Sequence, residues 1–407
     1  MSFTQFNLDP RLLLGVRALG FEQPTPIQAA TIPAGLQGRD ILGSAETGTG
    51  KTAAYLLPML QKLLAEPAQG RLPRALIVVP TRELALQVVA HAIQLSQQTR
   101  VRVCAIYGGV SLGSQEQALR KGVDIVVATP GRLLDHVERK NIAFTALQTL
   151  VLDEADRMLD VGFLPDIRRV VRLLPRERQT MLFSATLRPI LGLAAEVSRS
   201  AVRIEVEKAA TPDAIAQTLF PVPEHLKFQV LQRLLQEDTM DSVLVFARTK
   251  HRADRLVKNL QRARIQAAVI HGNRSQGQRI AALEAFRHGH SRVLVATDIA
   301  ARGIDVEGIS HVVNYDVPMQ AEDYVHRIGR TGRAQSIGAA YTLVTPADES
   351  MVRKIEMLLA QKIQRRRLDG VDYGIPAVVK PDAEAIRRYV EANRRKQPSG
   401  ALPSRAG

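Results

Sequence analysis

Three acidic residues follow a strongly apolar run in the segment LVLDEADRML, at residues 150–159. Asp153 and Glu154 end the apolar run, and Asp156 comes two positions after Glu154. Like charges repel one another, and a buried carboxylate costs several kcal/mol of free energy unless a positive group meets it. Folding alone gives no reason for three acids at this point. We therefore expect them to bind a positive charge that the chain itself does not supply.

A glycine-rich segment, AETGTGKT at residues 45–52, indicates where that charge comes from. It follows the strand-like DILGS and precedes the helix-like TAAYLLPMLQKLL. Its glycines allow backbone amides to surround phosphate oxygens, Lys51 can reach the β and γ phosphates, and Thr52 can bind magnesium. The segment departs from the general P-loop at Ala45, where that pattern has glycine, and in the acidic Glu46.

The missing positive charge is then an Mg²⁺ ion bound to nucleotide phosphates. Asp153 ends a strand about 100 residues after Lys51, and it suits an acid that holds the metal, commonly through metal-bound water. Glu154 suits the residue that orients and deprotonates the attacking water. The two segments together predict hydrolysis of ATP with Mg²⁺.

Length and composition narrow the class of protein further. A chain of 407 residues with 45% hydrophobic content is expected to form two domains of roughly 150 to 200 residues. The net charge of +15 favours nucleic acid or an acidic membrane surface as partner. A single cysteine, Cys104, excludes a disulfide framework and a cysteine zinc site. Without a signal peptide or an apolar run of ~20 residues, the chain is expected to be cytoplasmic.

The elements that position these residues follow an α/β pattern. Short runs rich in valine and isoleucine alternate with helix-like stretches, and continuous apolar runs predict strands buried on both faces of a parallel sheet. The runs are DILGSA, ALIVVPT, VRVCAIYGG, DIVVATPG, TLVLDEAD and TMLFSAT, then SVLVFART, AAVIHGN, RVLVATD, HVVNYDVP and AAYTLVT. We expect a first domain at 1–207, a linker at 208–214, a second domain at 215–362 and a basic tail at 363–407. Ligands of such sheets bind beyond the carboxyl ends of the strands.

The order and spacing of its motifs resemble those of DEAD-box ATP-dependent RNA helicases over about residues 3–345. The motifs are GFEQPTPIQ at 20–28, AETGTGKT at 45–52, PTRELA at 80–85, GG at 108–109, TPGR at 129–132, DEAD at 153–156, SAT at 184–186, VFART at 245–249, QGQR at 276–279, ATDIAARGID at 296–305 and HRIGRTGR at 326–333. The segments RTKH and IHGNRSQGQR are similar to the bacterial RhlE-like subgroup. The resemblance implies two tandem RecA-like domains, each a parallel sheet flanked by helices.

By this resemblance several motifs together form the ATP site. Gln28 reads adenine, Phe21 stacks on it, and Asp305 touches the ribose. The implied ATP-binding residues are Phe21, Gln23, Gln28, Ala45, Glu46, Thr47, Gly48, Thr49, Gly50, Lys51, Thr52, Gly303 and Asp305. The metal is assigned to Thr52 and Asp153, and the implied catalytic residues are Lys51, Asp153, Glu154, Arg330 and Arg333. The last two act as arginine fingers on the γ-phosphate charge.

The same resemblance assigns residues to RNA binding and to coupling. The residues implied to couple hydrolysis to strand separation are Asp156, Ser184, Ala185, Thr186 and His326. The residues implied to contact RNA are Pro80, Thr81, Arg82, Gly109, Thr129, Pro130, Gly131, Arg132, Arg248, Gln276, Arg279 and Thr297. Arginines and hydroxyls at strand ends suit a sugar-phosphate backbone, which they hold without reading its sequence. An aromatic content of 4% without tryptophan argues against a groove that stacks bases.

The mechanism implied is closure of the two domains by ATP and RNA, with RNA-stimulated hydrolysis and local, non-processive opening of a duplex. Single-stranded or short duplex RNA is the expected partner of a monomeric core, with ribonucleoprotein or RNA-decay proteins as further partners. Two alternatives stay open on the sequence: an ATP-gated RNA clamp that unwinds nothing, and a superfamily 2 DNA helicase. A transport ATPase would not explain HRIGRTGR.

The basic tail has two interpretations. Arg387 and Arg394 lie seven residues apart, as do Arg388 and Arg395, so in a helix each pair shares a face. One interpretation is an ordinary solvated helix. The other is an auxiliary RNA tether that does not depend on sequence and raises the local RNA concentration.

Overall fold

The computed structural model describes residues 2–45, 49–66, 70–206, 215–237, 239–301, 308–332 and 338–375. The first domain is a seven-stranded parallel sheet in the order β3-β4-β2-β5-β6-β1-β7. Its strands are β1 Ile41–Ser44, β2 Ala75–Val78, β3 Val103–Ile106, β4 Ile125–Ala128, β5 Thr149–Leu152, β6 Gln179–Ser184 and β7 Val202–Glu205. Its helices are α1 Pro10–Ala18, α2 Pro26–Leu36, α3 Lys51–Ala65, α4 Arg82–Leu95, α5 Leu112–Lys121, α6 Pro130–Glu138, α7 Ala155–Asp160, α8 Leu164–Arg172 and α9 Leu191–Val197.

The second domain repeats this architecture in the strand order β10-β11-β9-β12-β13-β8-β14, again all parallel. Its strands are β8 Ile215–Pro221, β9 Val243–Phe246, β10 Ala267–Ile270, β11 Val293–Ala296, β12 His311–Asn314, β13 Gly338–Val344 and β14 Gln364–Arg365. Its helices are α10 Lys227–Leu234, α11 Lys250–Arg262, α12 Gln276–Arg287, α13 Asp298–Ala301, α14 Ala321–Ile328 and α15 Glu349–Leu359. Among the described residues, no helix combines the length and the apolar character needed to cross a bilayer.

Continuous apolar strands are buried on both faces because helices cover each side of the sheet. In β4, Ile125 and Val127 belong to the hydrophobic cluster on one face, whereas Val126 and Ala128 belong to the cluster on the other. Full burial of such side chains contributes roughly 1.5 to 3 kcal/mol for each valine or leucine. The predicted α/β architecture is confirmed.

The second domain extends beyond the boundary expected at residue 362. The two-residue strand β14 pairs with β8, and Glu356, which is buried, accepts hydrogen bonds from the Ile363 amide at 3.0 Å and from Arg365 at 3.0 Å. Further apolar side chains beyond that boundary pack against the core of the domain, namely Leu368, Val371 and Tyr373. The expectation that strands stop near residue 362 is therefore wrong. The linker at 208–214 and the tail residues Arg387, Arg388, Arg394 and Arg395 lie outside the described residues.

Truncation should reveal this boundary. Removing everything after Ile375 should leave thermal stability unchanged, whereas removing everything after Lys362 also removes buried Ile363 and the packed side chains that follow it. The loss of this burial should cost about 3 kcal/mol or more and lower the melting temperature by roughly 6 to 12 °C. Differential scanning calorimetry of the two shortened chains would measure the difference, and equal melting temperatures would contradict the boundary.

Candidate nucleotide site in the interdomain cleft

The glycine-rich segment lies between the end of β1 and the start of α3. Lys51 is buried at the first position of α3, and its Nζ donates a hydrogen bond to the Ala45 carbonyl oxygen at 2.7 Å. Gly50 has a φ of +90°, and a Cβ there would overlap the Gln28 side chain, so only glycine fits. The predicted ATP-binding residues that lie outside the described ones are Glu46, Thr47, Gly48, Gly303 and Asp305.

Residues at the beginning of α2 form hydrogen bonds with the end of this glycine-rich segment. Gln28 is buried; its Oε1 accepts from the Thr25 amide at 2.9 Å, and its Nε2 donates to the Gly50 carbonyl at 3.1 Å. The Thr25 hydroxyl donates to the Thr49 carbonyl at 2.7 Å. The residue predicted to read adenine thus contacts the backbone of the phosphate-binding segment directly.

The other two residues of the predicted adenine site lie nearby on the surface of the first domain. Phe21 is half-buried and stacks on Phe3, with ring centroids 6.5 Å apart and planes 22° apart. Gln23 is exposed. The stack on Phe3 fixes the orientation of the aromatic ring predicted to meet adenine.

The first two acids occupy different environments at the end of β5. Asp153 is only 3% exposed; its Oδ2 accepts from the Tyr55 hydroxyl at 2.9 Å, and its Oδ1 accepts from the Glu154 amide at 2.9 Å. Burial raises the pKa of Asp153 to about 6, although Lys51 opposes the rise. Glu154 has a φ of +50° and an ion pair with the buried Arg157 at 3.2 Å.

The third acid joins the end of β5 to the end of β6. Oδ2 of Asp156 accepts from the Ala185 amide, the Thr186 amide and the Thr186 hydroxyl, each at 3.1 Å. The Ser184 hydroxyl donates to the Thr186 carbonyl at 2.7 Å. Asp156 on α7 is therefore joined directly to the SAT segment, and of the residues predicted to couple hydrolysis to strand separation only His326, on α14, lies in the other domain.

Residues of both domains line one cavity. Those from the first domain are Lys51, Glu154, Asp156, Arg157, Asp160 and Ala185, and those from the second domain are His326 and Arg330. Arg330 is 5% exposed. The predicted phosphate-binding lysine, catalytic glutamate and one arginine finger thus meet in one place, whereas Arg333 lies outside the described residues.

Arg327, which was not predicted as a site residue, holds in place the helix by which the second domain reaches the cavity. It forms a bidentate ion pair with Asp298 at 2.6 and 2.8 Å, donates to the Asn314 side chain at 3.0 Å and lies over the Phe246 ring at 4.9 Å. These contacts fix α14 to the sheet, and α14 carries His326 into the cleft. The arginine stands inside HRIGRTGR, but its internal partners are distant in sequence.

The residues predicted to contact RNA in the first domain follow β2, β3 and β4, which are neighbours in the sheet. The side chain of Arg82 packs against Gly109, where φ is +83° and a Cβ would overlap the guanidinium. Arg132 donates to the Val110 carbonyl at 3.1 Å. The remaining predicted contacts lie at the ends of β2 and β4 and are Pro80, Thr81, Thr129, Pro130 and Gly131.

In the second domain the predicted RNA contacts divide into two groups. Arg248 follows β9 and pairs with Asp348 at 3.2 Å, and Thr297 follows β11. The other two residues contact the first domain, since Arg279 forms an ion pair with Glu83 at 2.8 Å and Gln276 donates to Glu83 at 3.2 Å.

Gln276, Arg279 and their partner Glu83 are all buried. Glu83 was not predicted as a site residue, although it lies within PTRELA. In this structure Gln276 and Arg279 join the domains, and their binding to RNA stays a prediction.

This fold and this site define a two-domain P-loop nucleotide hydrolase. The DEAD/DEAH box helicase model matches residues 25–191, and the helicase conserved C-terminal domain model matches residues 226–335. The chain is 42% identical over 395 residues to the DEAD-box ATP-dependent RNA helicase CshA of Bacillus subtilis, and the match covers 97% of this chain and 79% of that protein. The protein belongs to the DEAD-box ATP-dependent RNA helicases.

Solved structures agree with this assignment. Dbp5 of S. cerevisiae bound to RNA and ADP BeF3 is 31% identical, with a TM-score of 0.82 over 96% of this chain and 99% of that chain. Mss116 bound to ssRNA and UDP-BeF is 26% identical, with a TM-score of 0.82 over 96% of this chain and 82% of that chain. The tandem RecA-like fold is confirmed, whereas the likeness to the RhlE-like subgroup stays a prediction.

The raised pKa of Asp153 predicts how the free energy of unfolding depends on pH when a chelator is present. With the pKa raised from 3.8 to about 6, the folded chain keeps a proton that the unfolded chain has lost between pH 4 and 6. This stabilisation is fully present below about pH 4 and is lost as pH rises through about 6. Over that pH range, the free energy of unfolding of the wild type should fall by on the order of 2 to 3 kcal/mol relative to that of Asp153→Asn. Urea unfolding of both proteins in EDTA tests this, and parallel pH curves would contradict it.

Proposed function

We propose that this protein is an RNA helicase in which RNA-stimulated ATP hydrolysis is coupled to domain closure and to local, non-processive opening of RNA duplexes. The observation that carries the proposal is the divided site: Lys51 and Glu154 of the first domain line the same cavity as Arg330 of the second. A site assembled from two domains is complete only when they close on each other. Ligands that favour closure therefore control hydrolysis.

Magnesium is the metal that this site fits. Asp153 is a buried carboxyl at a strand end, and burial raises its pKa to about 6 although Lys51 lies nearby, as expected for a carboxylate that a cation would stabilise. Thr52 follows Lys51 at the start of α3 and supplies a hydroxyl oxygen, and oxygen ligands are the ones that Mg²⁺ prefers. Thr52 and Asp153 would hold the ion, which neutralises charge on the β and γ phosphates when bound.

The side chains around the phosphates have separate roles in this proposal. Lys51 leaves the Ala45 carbonyl to bind the β and γ phosphates, and Glu154 orients the attacking water and accepts its proton. Because Glu154 pairs with Arg157 here, its carboxylate must turn toward the water for the reaction. Arg330, together with Arg333, stabilises the charge that spreads over the γ oxygens.

RNA binds at the carboxyl ends of the strands through its backbone. Arg82, Arg132 and Arg248 follow strands in the two domains, where guanidinium groups suit phosphate and hydroxyls suit the ribose. The pair of Glu83 with Arg279 joins the domains beside this surface, since Glu83 is the neighbour of Arg82. The structures of Dbp5 and Mss116, which each match 96% of this chain, were solved with RNA and a nucleotide analogue. Cytoplasmic location and partners among RNA-decay proteins stay predictions.

An ATP-gated RNA clamp would use the same residues, so the two activities need separate assays. ATPase rates with RNA, with DNA of the same sequence and without nucleic acid would distinguish an RNA enzyme from a DNA helicase. Release of a labelled strand from a short RNA duplex would distinguish unwinding from clamping. Stimulation by RNA without strand release would favour the clamp.

Substitution of the catalytic glutamate should separate binding from hydrolysis. Glu154→Gln keeps the shape of the side chain but cannot accept a proton, so ATP and RNA should still bind while hydrolysis falls by about 10²-fold or more. Single-turnover ATPase assays and RNA binding with ATP would measure both effects. Glu138→Gln, at an exposed carboxylate that pairs with Arg169, is the control and should behave as wild type. Near-normal hydrolysis by Glu154→Gln would exclude Glu154 as the base.

Arg330→Ala tests the contribution of the second domain. Arginine fingers contribute about 10³ to 10⁵ to the rate of phosphoryl transfer, so RNA-stimulated ATPase should collapse by about 10³-fold or more. The affinity for ATP should change little because the P-loop belongs to the first domain. Arg353→Ala, on the exposed face of α15, controls for loss of surface charge. An Arg330→Ala variant with normal RNA-stimulated turnover would refute the split site.

A further inference from the structure

Tyr55 contacts one of the two side chains that the proposed function assigns to magnesium. It lies on α3 and is fully buried, with its ring packed against Phe183 at a centroid distance of 5.4 Å. Its hydroxyl donates to Oδ2 of Asp153 at 2.9 Å.

The direction of this hydrogen bond follows from the groups involved. A phenol has one hydrogen to donate, and an ionised carboxylate can only accept, so the hydrogen of Tyr55 goes to Asp153.

Helix geometry and the neighbouring backbone complete the arrangement. Thr52 and Tyr55 lie three residues apart on α3 and so share a face of the helix. The other carboxylate oxygen of Asp153 accepts from the Glu154 amide at 2.9 Å. Each oxygen of Asp153 therefore has a fixed donor, and rotation of the carboxylate would break both bonds.

We propose that Tyr55 is a positioning residue for the magnesium site: its hydroxyl orients Asp153 before the metal binds. The inference rests on the proposed function, in which Asp153 holds Mg²⁺ together with Thr52. Outer partners of metal-binding side chains fix ligand orientation, and their removal commonly costs 10- to 100-fold in metal affinity. The simpler role of Tyr55, as an aromatic core residue, needs only its ring.

Tyr55→Phe separates these roles because it keeps the ring and removes the hydroxyl. Binding of ADP to the full chain would be measured by calorimetry across a MgCl₂ series and in EDTA. The Mg²⁺ concentration for half-maximal enhancement of ADP binding should rise about tenfold, while ADP affinity in EDTA stays unchanged. Tyr324→Phe is the matched control, since Tyr324 is also fully buried and its hydroxyl donates to Gln217 at 3.0 Å.

A second measurement guards against loss of stability in the variant. For each protein, the melting temperature with ADP and EDTA is subtracted from that with ADP and MgCl₂, so that only the contribution of the metal remains. This difference should shrink in Tyr55→Phe and not in Tyr324→Phe.

Each remaining outcome overturns the inference in a distinguishable way. An unchanged Mg²⁺ dependence in Tyr55→Phe would leave Tyr55 as a core residue. An equal loss of ADP affinity with and without Mg²⁺ would show that the hydroxyl supports the phosphate-binding segment and not the metal. If ADP binding by the wild type does not depend on Mg²⁺ at all, the magnesium assignment itself fails.

Discussion

Burial of negative charge at the end of β5 is the constraint around which the first domain is organised. A carboxylate as buried as that of Asp153 is costly without compensation, and the compensation comes from other elements. Lys51 and Tyr55 approach from α3, while Arg157 pairs with the neighbouring Glu154. Because β5, β6 and β1 are consecutive in the sheet, the P-loop, the acids and the coupling motif end at the same edge. In the proposed function, a nucleotide with its metal would supply the positive charge that these side chains do not.

The connections around this edge join the acids to the end of β6 and hold α14 on the sheet of the second domain. Asp156 accepts hydrogen bonds from the backbone at Ala185 and Thr186, so the end of β5 is joined directly to the end of β6. In the second domain, Arg327 fixes α14 to its own sheet. In the proposed function, an RNA that changes the position of one domain relative to the other would change the distance between Arg330 and the γ-phosphate.

The sequence predicted most strands, and it predicted the motifs better than their partners. Continuous apolar runs identified β1 to β6 and β9 to β13, including the edge strands β3 and β10. It missed β7, β8 and β14, which lie at or next to the far edge of each sheet and are partly exposed. The site residues that were missed depend on contacts between distant segments. Tyr55 and Asp153 are 98 residues apart, and Gln276 and Glu83 are 193 apart. No local pattern contains such pairs.

The arginines show why composition alone does not locate the RNA surface. The net charge of +15 favoured nucleic acid, yet several cations serve the interior of the protein. Three of these cations are buried, namely Arg74, which pairs with Asp124, Lys227, which pairs with Asp316, and Arg327, which pairs with Asp298. Removing one partner of such a pair would leave an uncompensated buried charge, so these cations are constrained by folding. What distinguishes Arg82, Arg132 and Arg248 is their position after the strands, at the edge where parallel sheets bind ligands. Topology, and not the number of positive charges, therefore separates the cations proposed to bind RNA from those required by the fold.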